Sequence, residues 1–151
     1  MKALLILTFI ITPFLTMASD MDKFMKAFEE AASKKDKKAL KELIYPLKLG
    51  STDIQQELID AIIANDESSS GDGGISVRAI SALRKSHMDH FQQVPDVLFQ
   101  EFKNSPDMGS IMRKLNQKQV MIFEHMGAKM LLIKEKKDWQ LLFFEDLNKL
   151  L

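Results

Sequence analysis

The chain has 151 residues, balances 21 basic against 21 acidic side chains, and contains no cysteine. A neutral chain carries no broad field for nucleic acid or anionic lipid, and a cysteine-free one excludes disulfides, thiolate metal sites, cysteine nucleophiles and a lipid-modified N-terminal cysteine. The one dense charge run, Lys34, Lys35, Lys37 and Lys38, has no aromatic residue for base stacking, so it reads as a solvated loop and no nucleic-acid partner is expected.

The first 18 residues read as a cleavable secretory signal peptide. Lys2 is the only charge before Asp20, Ala3–Ile11 is apolar except for Thr8, and Thr16-Met17-Ala18 supplies small residues for a peptidase that must approach the backbone. The cut is expected after Ala18 or after Ser19. An uncleaved anchor is the rival reading. The apolar stretch is about 16 residues, short of the roughly 20 that a spanning helix needs, and Pro13 interrupts it. The remainder, 19–151, suits a single domain with an ordinary core. No later segment approaches spanning length, so the mature chain is expected to be exported, periplasmic or secreted, with no membrane span after cleavage.

Asp20 is placed to cap a first helix over Met21–Ala32, with Phe24, Phe28 and Ala31 on one face. Asp36 caps a second, Lys37 to about Tyr45, which Pro46 ends. Leu47-Lys48-Leu49 reads as a short strand before the turn Gly50-Ser51. Thr52 and Gln55 fit a capping box for a third helix, Asp53–Ala64. Residues 65–74 (NDESSSGDGG) are acidic, carry no apolar side chain and read as a flexible loop. A fourth helix is expected over about Val77–Gln92. A fifth starts at Pro95 with Val97, Leu98, Phe99 and Phe102 as its apolar residues. A sixth helical stretch follows Ser105-Pro106-Asp107 and runs to about Leu115.

The last third changes period. Gln119–His125, Lys129–Glu135 and Trp139–Glu145 read as a three-stranded antiparallel meander, with a short helix or tail after it. The second and third strands are apolar at odd and even positions alike, with Trp139, Leu141 and Phe143 expected on one face. A sheet apolar on both faces needs a second helix layer, a partner, a ligand, or curling around a helix. The fold class is therefore α+β: N-terminal and central helices packed on a C-terminal three-stranded antiparallel meander, forming one domain over 19–151.

Phe24–Pro46 (FMKAFEEAASKKDKKALKELIYP) resembles the opening helix pair of nuclear transport factor two-like, or cystatin-like, α+β domains, and Lys129–Leu147 (KMLLIKEKKDWQLLFFEDL) resembles their closing hairpin. The resemblance implies a curved sheet wrapping a helix around a conical pocket, in a family of isomerases, dehydratases, ligand binders and exported proteins. It departs over Thr52–Gln117, helical where the family supplies strands, and no catalytic Asp–His arrangement carries over.

Few residues carry chemistry. His87 and His90 lie three apart on the fourth helix, and His125 is a third imidazole; zinc needs three or four converging ligands. With two ligands and no motif, the expected reading is His87 on an apolar face, His90 in water and no metal. Eight methionines follow the leader. Met21/Met25, Met108/Met112 and Met126/Met130 are spaced for a soft Cu(I) site, but they coincide with apolar faces, where methionine is an adaptable filler. Asp66, Ser68, Ser70 and Gly71 mimic the start of a calcium loop, yet position twelve is Val77 in place of the bidentate glutamate. No cofactor is expected. The reading is an exported, non-enzymatic binding domain for a protein or a small apolar ligand, with Trp139 and His125 as candidate ligand-binding residues and no catalytic residue assigned. The rivals are a periplasmic inhibitor or immunity-type protein, and a small isomerase or hydrolase using Glu124 and His125 in a family-like pocket. The oligomeric state is left open.

Overall fold

A computed structural model describes the backbone of residues 4–64, 75–145 and 147–151, with side chains from Ser19 onward except that of Asn148. The expected loop at 65–74, with its calcium-like positions, lies outside the described residues. Among those described, six α-helices, a two-stranded ribbon and a four-stranded antiparallel sheet make an α+β fold.

Helix α1 spans Leu4–Ser33 without a break at Pro13 or Asp20. Asp20 is therefore inside a helix and caps nothing; its carboxylate instead accepts from Lys134 Nζ at 3.1 Å. The expected start at Met21 fails because a helix is already formed upstream, and each residue added to an existing helix gains a hydrogen bond. No helix among the described residues is long and apolar enough to cross a membrane.

Asp36 does cap α2 (Lys37–Leu43), its carboxylate accepting from the Lys38 and Ala39 amides. The chain leaves α2 two residues earlier than expected, because Ile44 and Tyr45 turn extended to reach the sheet. Tyr45 N–H donates to the Leu141 carbonyl at 2.8 Å, and Ile44 bridges Leu141 in parallel. Strands β1 (Lys48–Leu49) and β2 (Thr52–Asp53) form a small ribbon whose turn places Gly50 at φ +61°, a conformation glycine adopts without penalty. Thr52 is committed to that ribbon, so the expected capping box does not form. Asp53 caps α3 (Ile54–Ala64) instead, accepting from the Gln56 amide, and Gln55 reaches back to the Lys41 and Ile44 carbonyls.

The fourth helix is shorter than its periodicity suggests. Helix α4 (Val77–Ser86), capped by Ser76, ends at His87; a 3₁₀ turn at Met88–His90 then leads into strand β3 (Phe91–Gln93). Tertiary pairing overrides the apolar period here, since β3 lies against β4 (Val120–His125) and completes a sheet of four strands where three are expected. Helices α5 (Asp96–Asn104) and α6 (Gly109–Met112) come between them. Val97, expected in the α5 apolar face, is exposed; Phe99 is the buried residue. Strands β5 (Ala128–Ile133) and β6 (Gln140–Glu145) follow, and the spatial order is β3-β4-β5-β6.

Alternation along β4 and β5 divides the core in two. Met121, Phe123, Met130, Leu132, Trp139 and Leu141 pack with Phe24, Phe28, Leu40, Ile59, Ile80 and Leu83 of α1–α4. Val120, Ile122, Leu131, Ile133 and Leu142 face the other way and pack with Phe99, Ile111 and Met112 of α5 and α6. Both faces of the doubly apolar sheet are thus met by helices. A bulge between β5 and β6 changes the expected face of Phe143: Leu132 pairs with Leu141 but Leu131 pairs with Phe143, so Phe143 leaves the side of Trp139 and is half-exposed.

Candidate functional site

The polar chemistry of the chain gathers at one end of the sheet. Helix α4 stops at His87, whose backbone (φ −133°, ψ 13°) leaves the helix while its N–H still reaches the Leu83 carbonyl at 3.0 Å. His90 N–H donates to the His87 carbonyl at 3.0 Å and closes the 3₁₀ turn. Across the β3–β4 pairing, β4 ends at His125, opposite Ala128. Between them Met126 (φ +48°) and Gly127 (φ +79°) form a two-residue connection whose positive angles match the twist of a tight hairpin. Glycine suits such a position; methionine there is uncommon, and Met126 is 68% exposed.

This frame brings all three histidines of the chain into ring contact. The His90–His125 centroids are 4.3 Å apart, His87–His125 4.8 Å and His87–His90 5.4 Å. Buried Phe123 lies beneath, 6.1 Å from His90 and 6.4 Å from His125, and itself contacts Phe91 at 5.2 Å. All three imidazoles are half-buried. The expectation that His90 points to water fails because the 3₁₀ turn, not a continued helix, sets its direction. Partial desolvation, then the positive charges His90 and His87 take on when protonated, holds His125 below the ordinary imidazole range, against the opposing pull of Asp89. Asp89 Oδ1 lies 3.8 Å from His90 Nε2.

Among the described residues no group of three or more His, Asp or Glu side chains is arranged to hold a metal ion. The methionines do not offer a common copper site either: Met21, Met25, Met112 and Met130 are buried within the two cores and Met126 is exposed. Glu124 is exposed, with its carboxylate 3.8 Å from Lys129 Nζ, and strand alternation turns it away from His125. The two therefore do not combine as an acid–base pair.

Trp139, the other candidate ligand-binding residue, is 5% exposed and belongs to the first core cluster. Its indole Nε1 is buried without a hydrogen-bond partner, and Lys134 Nζ sits 5.6 Å from the ring centroid. An open groove of about 300 Å³ lies elsewhere, between α1 and α2, lined by Ala27, Ala31, Ala39 and Leu43 with charged Glu30 and Lys34 among the remainder. No family model, curated protein or solved structure matches the chain.

Proposed function

We propose that the chain is an exported, non-enzymatic binding domain that engages a protein partner by surface contact at its histidine end. The observation that carries this reading is the convergence of His87, His90 and His125 beside exposed Met126, on a surface where imidazole and thioether groups are presented together. Such groups suit protein recognition: each offers an apolar body with polar or polarizable atoms, and methionine adapts to varied shapes. The small-apolar-ligand reading is disfavoured because both apolar faces of the sheet have helices of the same chain packed on them. For the same reason the internal conical pocket that the cystatin-like resemblance implies is not carried into this reading. Export rests on the order of charge, apolar run and small residues in 1–18.

A photo-crosslinking amino acid placed at Met126, and separately at exposed Val97, tests the surface in extract from the extracytoplasmic fraction. A protein adduct formed at position 126 and absent at 97 is expected. Equal labelling at both positions, or no adduct together with a small apolar molecule retained in native mass spectrometry, contradicts the reading. Terminal sequencing of the same material is expected to begin at Ser19 or Asp20; full-length chain confined to the membrane fraction restores the anchor.

A further inference from the structure

Strand β3 is held to the sheet by little. It has three residues, lies at the edge, and among the described residues pairs with β4 alone, through Phe91 with Phe123, Gln92 with Ile122 and Gln93 with Met121. Just beyond it, Val94 N–H donates to the Val120 carbonyl at 3.1 Å. At the other end of β3 stands the histidine cluster, with His87 and His90 on the segment that enters the strand and His125 on the strand it pairs with. Neutral imidazoles pack there as three rings over Phe123. Protonated, they become like charges within ring contact, divided between the two elements that the packing joins.

We propose that His87, His90 and His125 form an acid-opened latch: their ring packing keeps β3 on β4 while the rings are neutral, and their protonation drives the Met88–Gln93 segment off the sheet edge. The surrounding charges do not relieve the repulsion. On the turn itself, Asp89 is the one acid against the cluster; its side chain is 83% exposed, and one carboxylate offsets at most one imidazolium. On α4, Arg84 and Lys85 are cations; Arg84 occupies Glu29 of α1 at 2.6 Å and lies 3.8 Å from Asp22 of α1. On β4, Glu124 pairs with Lys129 on the side of the sheet away from His125. The displaced segment uncovers Phe91 and frees the outer edge of β4, a row of backbone groups able to pair with an extended strand. The latch is independent of whichever partner uses this end.

Amide hydrogen exchange on the full chain at pH 7.5 and pH 5.5, each corrected for the intrinsic exchange rate, tests it. Protection over Phe91–Gln93 and Met121–Phe123 is expected to fall by about tenfold or more at the lower pH while Leu131–Ile133 keeps its own, as local opening requires. His90→Gln and His125→Gln, which cannot charge, are each expected to flatten that response. If one of them folds poorly, judged by near-UV circular dichroism at pH 7.5, the other supplies the test, since each removes the His90–His125 pair at 4.3 Å that joins the turn to β4. Unchanged protection at pH 5.5, an equal loss in β5, or a response that survives the substitutions overturns the latch. So does a stoichiometric zinc complex at pH 7.5 that requires all three histidines, which makes the cluster a metal site.

Discussion

Trp139 and His125 are both aromatic residues at the ends of sheet strands, and they belong to opposite kinds of environment. Trp139 leads into β6 at 5% exposure, surrounded by the core of α1–α4, with an indole N–H that finds no partner. His125 closes β4 half-exposed, against two other imidazoles. The first contributes burial, a term indifferent to protons near neutrality. The second contributes ring packing that protonation opposes. Near neutrality the core around Trp139 is indifferent to protons, whereas the histidine end is exposed to them.

Substitution at Trp139 breaks the comparison most severely. Trp139→Ala is expected to cost about 3–5 kcal/mol, as truncation of a buried aromatic does, read as a lowered urea midpoint with the slope preserved. Trp139→Phe sharpens the same point. It loses volume but also removes a buried donor that lacks a partner, whose desolvation otherwise costs about 1–3 kcal/mol, so it should be far milder than alanine.

A smaller effect separates two acid-sensitive regions. Burial alone would raise the Glu29 carboxyl, but hydrogen bonds from Ser81 and Arg84 together with the Arg84 charge hold it below the ordinary carboxylate range. Its folded value being depressed, Glu29 stabilises the protein above the unfolded carboxylate value of about 4.3, and that stability is lost as pH falls through the folded value. His125 has a depressed folded value as well, so the unfolded chain binds the proton more readily. Its contribution is complete above about 6.5 and is lost as pH falls from there through the folded value. Stability against pH should therefore fall in two separate steps. Arg84→Met is expected to lower stability and to erase the lower step alone. A single merged transition in wild-type protein contradicts the assignment.

Smaller again, Asp36→Ala removes a side-chain cap on two α2 amides and should cost about 1 kcal/mol by thermal unfolding. Lys34→Ala breaks an exposed pair with Glu30 at the rim of the α1–α2 groove and should leave the thermal midpoint almost unchanged.

How far these regions are legible in the residues follows from the range of the forces involved. The Trp139 environment is written locally: a period of two, apolar on both faces, can only belong to strands covered on both sides, and Asp36 and Pro46 mark α2 by chemistry within a few residues. The histidine cluster is not local. His87 and His90 are separated from His125 by more than thirty positions, and only the pairing of β3 with β4 brings them together. That pairing is hidden because Val77–Phe91 keeps a helical apolar period straight through His87, where the chain in fact leaves the helix. The bulge that moves Phe143 to the other side is equally nonlocal, since it shows only in the register between two strands. The break expected at Pro13 and Asp20 fails for the opposite reason: strong local signals lose to helix propagation on both sides of them.

The imidazole resonances of His125 provide the most direct test of the histidine cluster. Followed by NMR from pH 8 to pH 5, His125 in wild-type protein should titrate below the ordinary imidazole value of about 6.5, and in the His87→Gln/His90→Gln double variant its midpoint should move back up toward that value. A His125 midpoint at the ordinary value in wild-type protein, unmoved by removing both neighbours, would mean that the three rings do not act on one another and that the cluster is no site.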